Sequence, residues 1–311
     1  MKQEWYIIIN PHAGSGKTIS IWGKAQRMLD ARGILYRTVL TNYKSHASEL
    51  SFAAAERGYR KFLTVGGDGS LHEVFCGICE WCEKNGVDPR EFHLGVIPIG
   101  SGNDWIKSVG IPNDMEKVIS LVEKEQFGIE DIVSLDSPER RKYMINIGGV
   151  GFDSHVCERV NFQKSIGLRH KMIYANALRY TISHLKAIQV KVIADGKEVY
   201  SGDVYSIAWG TGKYCGGGMR QVPDAVMDDG LLDALIVPKL SVTKIIREIP
   251  RLFSGTVNES GEVVSLRCKV LEIVPLNAQS ADIVELDGEI EGRLPIRLEV
   301  TGKQASVLSN L

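Results

Sequence analysis

VGGDGSLHEV, residues Val65–Val74, follows the apolar run KFLT and leads into a helical pattern. The segment therefore reads as strand, glycine turn, helix. Gly66, Gly67 and Gly69 let the backbone come close to a ligand, and a helix start presents N–H groups to it. A phosphate suits such a place. Asp68 would repel a bare phosphate, so it makes sense beside Mg²⁺ or acting on an acceptor hydroxyl. Ser70 is expected to cap the helix, with Glu73 completing a capping box. A turn and cap without any ligand would read the same way.

Two further turns share the pattern. IPIGSGNDW (Ile97–Trp105) ends a strand in Gly-Ser-Gly, with a helix expected near Asn103. IIINPHAGSGKT (Ile7–Thr18) ends like a P-loop, but that loop needs a glycine where Pro11 stands. Pro11 has no N–H to donate. Gly14 and Gly16 still allow a tight turn facing a phosphate. Turns after successive parallel strands open on one sheet edge, where open α/β sheets bind ligands.

Strand and helix signals alternate over residues 1–133, including helices at 19–33 and 45–57 and the strand YRTVL. SPERRK (Ser137–Lys142) reads as a linker. The rest is mostly strands: YMINIGGVGF, IQVKVIAD, GDVYSIAWG, LLDALIVP, CKVLEIVP, ADIVELDGE and PIRLEV. Helices are expected over about 167–187 and 242–253, and a hairpin turn at Asp195-Gly196. The fold class is α/β: a three-layer α/β nucleotide-binding domain with a mostly parallel sheet (1–133), then an antiparallel β-sandwich domain with inserted helices (134–300). The tail, about 301–311, is expected to return to the first domain.

A net charge of −1 gives no reason to expect nucleic-acid binding. No apolar run reaches the ~20 residues of a membrane span. The start, with Glu4 and a short apolar run, reads as a first strand rather than a signal peptide, which implies a cytoplasmic protein. Cys76, Cys79 and Cys82 have a spacing found in iron–sulfur proteins, but their helical pattern favours a buried face.

Together NPHAGSGK, GGDGSLHEV, PIGSGND and LDGE resemble the diacylglycerol-kinase catalytic domain family, which includes bacterial lipid kinases and the sphingosine and ceramide kinases. The resemblance spans nearly the whole chain. It implies an α/β nucleotide domain, a β-sandwich domain and an active site in the cleft between them. It implies ATP contacts at Asn10, Pro11, Gly14, Thr41, Gly66, Gly67, Asp68, Gly69, Ser70, Glu73 and Ser101. It implies Mg²⁺ held by Asp229 with the carbonyls of Val226 and Leu231, within AVMDDGLLD. Glu289 of LDGE would be the general base, with Asp68 organising the phosphates. Without the family context, AVMDDGLLD and LDGE would each read as a plain turn. The expected activity is phosphoryl transfer from ATP to a lipid hydroxyl, with diacylglycerol giving phosphatidic acid. Gly-Ser-Gly-Asn and His72 lean toward sphingosine and ceramide kinases, Asp104 toward the bacterial type, and phosphatidylglycerol is a further candidate acceptor. NAD kinases and phosphofructokinases share only the Gly-Gly-Asp-Gly turn, and a non-catalytic nucleotide-binding regulator is a third class. The substrate would be met peripherally, on the inner face of the membrane, and a homodimer is admitted. Arg159, Lys164, Arg169, His170, Lys171 and Arg179 are either a basic docking face or a solvated helix surface.

Overall fold

Strand β1 (Lys2–Ile9) carries Ile7, Ile8 and Ile9 in succession, all buried. An unbroken apolar run is what a parallel strand covered on both faces requires. Helix α1 (Thr18–Ala31) leads to β2 (Tyr36–Leu40), and α2 (His46–Glu56) leads to β3 (Tyr59–Gly66). Helix α3 (Asp68–Asn85) precedes β4 (His93–Pro98), and α4 (Trp105–Ser108) and α5 (Met115–Lys124) follow. β2, β1, β3 and β4 lie side by side in that order, all parallel. The computed structural model describes every residue except 1, 17, 100, 101, 167 and 169–172. The chain divides into two units, Met1–Ile132 with Gly302–Leu311, and Val133–Thr301. The first is a parallel α/β unit, and the second is a sandwich-like β unit with inserted helices.

In the first unit, α1 packs with α5, and α2 packs with α3. The α2–α3 contact is close because its residues are small. Ala47, Ser51, Ala54 and Ala55 are buried on α2, and a Cβ on Gly77 of α3 would land on the Ser48 carbonyl and the Ser51 hydroxyl. Cys76, Cys79 and Cys82 are buried on α3. Burial raises the Cys79 thiol well above its usual range and pushes Cys82 up to about 12, as befits thiols on a buried helix face.

The chain enters the second unit inside a strand. β5 (Phe127–Asp136) turns through Ser137–Arg140 into β6 (Arg141–Met144). SPERRK is therefore a hairpin turn and not a linker. The Ser137 hydroxyl donates to the Arg140 carbonyl, and Arg141 pairs with Asp136 at 2.7 Å. The run YMINIGGVGF is likewise two strands, β6 and β7 (Ile147–Gly151). Helix α6 (Phe152–Ser165) follows, then α7 (Ile173–Ser183). Strands β8 (Ile188–Ala194) and β9 (Lys197–Gly210) join at Asp195-Gly196, both with positive φ as the tight hairpin requires. A short hairpin, β10 (Tyr214–Cys215) and β11 (Met219–Arg220), precedes β12 (Leu232–Pro238) and α8 (Val242–Ser254). Then come β13 (Val264–Cys268), β14 (Val270–Pro275), β15 (Ile283–Leu286) and β16 (Glu289–Arg293). β17 (Ile296–Leu308) pairs first with β14, antiparallel, and then at Ser306 and Val307 with β4, parallel. Trp209, Leu232, Leu271, Val284 and Leu298 lie in the core of the second unit.

His155 on α6 pairs with Asp282 at 3.0 Å, just before β15. That hydrogen bond raises the imidazole above its ordinary 6.5. A raised folded value gives stability that is full below 6.5 and lost as pH rises through the folded value. The Asp282→Asn variant should therefore melt below wild type at about pH 5.5 and converge with it by about pH 9. A gap that does not change with pH in thermal melts would contradict this linkage.

Candidate active site

The order β2-β1-β3-β4 reverses direction between β1 and β3. Their carboxyl ends open at that switch point, and the glycine turns gather there. Asn10 follows β1, and its N–H donates to the Val65 carbonyl at 3.0 Å. Its side-chain amide donates to the Ser70 hydroxyl at 3.0 Å, and its amide oxygen accepts from the His12 N–H. Gly14 has φ +55, and a Cβ there would stand 2.7 Å from the Ile99 carbonyl. On Gly66 a Cβ would stand 2.6 Å from the Ser70 hydroxyl. Gly14 is thus needed for turn-to-turn contact, and Gly66 lets its own turn close on Ser70. Pro11 follows Asn10, and Thr41 donates its N–H to the Ile9 carbonyl at the end of β1. Asn10, Pro11, Gly14, Thr41, Gly66, Gly67, Asp68, Gly69 and Ser70 therefore share one sheet edge. Ser101 lies outside the described residues.

Two expected roles change. Helix α3 starts at Asp68 with Gly67 as its N-cap, so Ser70 and Glu73 form no capping box. Ser70 lies within the first turn, bonded to Asn10. Glu73 reaches to α2 instead and accepts from the Ser45 and Ala47 N–H groups at 2.9 and 3.1 Å. It caps a neighbouring helix, as favourable for a carboxylate there as at its own helix start. Asp68 accepts from the Asp104 and Trp105 N–H groups at 3.1 and 3.2 Å, which ties the second glycine turn to the third. Trp105 is fully buried, and its indole donates to buried Glu130 at 2.9 Å.

In the second unit, LDGE is a two-residue hairpin turn. Asp287 and Gly288 have φ +51 and +88, and Leu286 pairs with Glu289. The buried Asp287 carboxylate accepts from the N–H groups of Ile145, Asn146 and Ile147, each at 3.0 Å. This is why β6 and β7 are separate strands. The Gly288 carbonyl accepts from the Cys157 thiol and the Asn161 amide of α6, both at 3.0 Å. Glu289, half-buried, thus starts β16 from a turn fixed on two sides.

Asp153, on the first turn of α6, escapes a reading based on motifs. It accepts hydrogen bonds from Ser206 and Gln221, and burial raises its carboxyl above the usual range. The signal was the glycine run before it. A Cβ on Gly148 would collide with Trp209 and Leu286, and Gly151 has φ +81. The run lets β7 pack tightly and turn directly into α6.

Residues 4–135 match the diacylglycerol kinase catalytic domain, and residues 146–309 match the YegS C-terminal NAD kinase beta sandwich-like domain. The chain belongs to this bacterial lipid-kinase family. A diacylglycerol kinase of Mycobacterium tuberculosis is 27% identical over 270 residues, covering 86% of this chain and 83% of the relative. YtlR of Bacillus subtilis is 25% identical over 315 residues, covering 94% and 96%. The crystal structure of a diacylglycerol kinase from Bacillus anthracis superposes with a TM-score of 0.73 at 20% identity, over 99% of this chain and 97% of that one. It shares the fold.

Family membership implies ATP and Mg²⁺. The edge fits a nucleotide's phosphates, since glycine turns at strand carboxyl ends meet the start of helix α3, whose first N–H groups suit an anion. The Val226–Leu231 turn offers oxygen donors of the kind Mg²⁺ takes. Its Asp229 carboxylate, however, accepts from the Leu231 N–H at 3.1 Å and pairs with Arg267. Arg267 also holds Asp233 at 3.1 Å. The Asp229 carboxylate is thus engaged by a guanidinium where an ion would have to be held.

Asp287→Ala should leave three backbone N–H groups without their acceptor and lower stability by about 2–4 kcal/mol, since each buried unpaired donor costs ~1–3 kcal/mol before relaxation. Urea unfolding measures this, and a change under about 0.5 kcal/mol would mean that the carboxylate is not what holds the turn.

Proposed function

We propose that the chain transfers the γ-phosphoryl group of ATP to the free hydroxyl of diacylglycerol, giving phosphatidic acid. One observation carries the reading: three glycine turns locked together at the carboxyl ends of β1, β3 and β4, through Asn10–Ser70, Gly14–Ile99 and Asp68–Trp105. Phosphoryl transfer asks a protein for positioning and charge neutralisation above all. The first unit supplies the cradle. Asn10, Gly14, Gly66 through Ser70 and Thr41 border the ATP phosphates, and Asp68 holds the cradle in shape. The second unit supplies Glu289 to take the acceptor proton, with Asp153, Ser206 and Gln221 as a polar cluster suited to a lipid hydroxyl. Bound Mg²⁺ would neutralise phosphate charge, and Asp229 with the Val226 and Leu231 carbonyls would hold an ion on the second unit.

The acceptor choice draws on relatives that carry the name diacylglycerol kinase. The likeness of His72 to sphingosine kinases carries less. His72 is 1% exposed on α3, with its ring against Cys76, so it reports packing. Phosphate transfer from labelled ATP, run in parallel on diacylglycerol, ceramide, sphingosine, phosphatidylglycerol and NAD⁺, tests the reading. Diacylglycerol should label fastest. Preferred labelling of another acceptor, or of none, overturns it.

Glu289→Gln keeps size but removes the base, and should lower kcat by roughly 10²–10⁴-fold with near-normal ATP affinity. Asp68→Asn replaces one acceptor oxygen of the turn-to-turn tie with a donor and should weaken both turnover and ATP affinity. The two roles are wrongly divided if Glu289→Gln loses ATP binding or keeps wild-type turnover.

Arg267 and Mg²⁺ would compete for Asp229. Asp229→Ala should raise the Mg²⁺ concentration at half-maximal turnover, and Arg267→Met should lower it. Titrations of both variants that overlay wild type would reduce the segment to a turn.

A further inference from the structure

Helix α6 meets the sheet of the second unit with polar side chains where an apolar stripe would be usual. Asp153, Cys157 and Asn161 are spaced four residues apart, so they share one face of the helix. α6 packs against β7, β9, β15 and β16. Asp153 accepts from Ser206 on β9 and from Gln221. Cys157 and Asn161 both donate to the Gly288 carbonyl at 3.0 Å, and the Asn161 amide also donates to the Cys157 sulfur at 3.5 Å. One carbonyl thus takes two donors from successive turns of one helix. His155 adds a second hold on the same hairpin, through Asp282 just before β15. α6 therefore grips the β15–β16 hairpin at the start of its first strand and again at its turn. Arg169, His170 and Lys171, beyond α6, lie outside the described residues.

The gripped carbonyl belongs to the peptide bond that joins Gly288 to Glu289. On the other side of Gly288, its N–H donates to the Glu285 carboxylate at 3.0 Å. A two-residue Asp-Gly turn closes a hairpin without help from a helix, so holds from outside the hairpin serve something besides closure. Gly288 itself, with φ +88, lends the turn no stiffness. What the two donors of α6 add is a fixed orientation for the peptide plane that leads into Glu289. We propose that Asn161 and Cys157 are positioning residues of the phosphoryl transfer, which set where Glu289 stands relative to the Asp153 cluster on the same helix. This rests on the reading of Glu289 as the base. Asn161 is the stronger donor of the pair, because a thiol donates weakly. A reacting group displaced by about 1 Å can lose ~10²-fold in rate, so a small shift of the turn is enough to matter.

Two measurements on the full chain test it. The first is hydrogen exchange without substrate. Cys157→Ala with Asn161→Ala should speed exchange of the amides of residues 286–290 by about tenfold or more, and leave those of β8 as in wild type. Alanine favours a helix interior, so this double variant should keep wild-type far-ultraviolet circular dichroism. The second is transfer from ATP to diacylglycerol dispersed in detergent. The double variant should lower kcat by about tenfold or more with the KM for ATP near wild type. Cys157→Ser with Asn161→Ala should recover most of that loss, since a hydroxyl restores a donor to the Gly288 carbonyl. Added to Glu289→Gln, the two alanines should cost less than about threefold more, because residues that act through one group are not additive. Wild-type exchange in the turn, wild-type kcat in the double alanine variant, or a full further loss on top of Glu289→Gln overturns the positioning role. Failure of the kinase reading looks different. Wild-type turnover by Glu289→Gln removes the base assignment and this role with it, and absent transfer by the wild-type chain removes the activity while exchange still decides whether α6 holds the turn.

Discussion

The site in the first unit rests on a rule of handedness. A parallel crossover is right-handed, so a chain stepping from β1 to β2 lays its helix on one face of the sheet. From β2 the chain steps over β1 to β3, then on to β4, in the opposite direction, and its helices fall on the other face. No helix therefore covers the carboxyl ends of β1 and β3, and the backbone must turn there in the open. Asn10 and Ser70, from the two sides of that gap, are close enough to bond. Every candidate phosphate contact in this unit depends on the reversal.

Carboxylates do much of the holding in both units, and they hold backbone. Asp68 takes two N–H groups, Glu73 two, Asp287 three, and Asp195 takes those of Lys269 and Val270. Each stands where the chain changes direction and its N–H groups have left their ladder or helix. An acidic residue in a glycine turn thus has two possible uses, and the sequence does not distinguish them. Asp287 is an anchor two residues from the proposed base, and the anchoring is what gives Glu289 a fixed place.

This explains which parts were legible. The strand YRTVL coincides with β2, and the turns at Asp195-Gly196 and Asp287-Gly288 are hairpins, because apolar runs and positive φ leave local marks. The family motifs were readable for the same reason. Helix α6 was not, since it buries only Ser154, Val156 and Gln163 and has no apolar stripe. The break between β6 and β7 is set by Asp287, about 140 residues away. The Asp229–Arg267 pair and the reach of Glu73 to α2 are contacts between segments far apart in sequence. Side-chain partners of that kind follow from the fold and not from any local pattern.

Strand β17 has a consequence for how the protein is made. Its last residues lie beside β4, within the sheet that carries the glycine turns. Ser306 also meets His93 at 2.9 Å, and Gln304 meets Asp131 at 2.9 Å. During vectorial synthesis the ribosome releases residues 1–132 first, yet their sheet lacks this strand until all of residues 133–301 have emerged. The earlier-made half must wait with an open edge beside β4, an exposure that invites wrong pairing. The α/β half is the last to be finished, although it is the first to be translated.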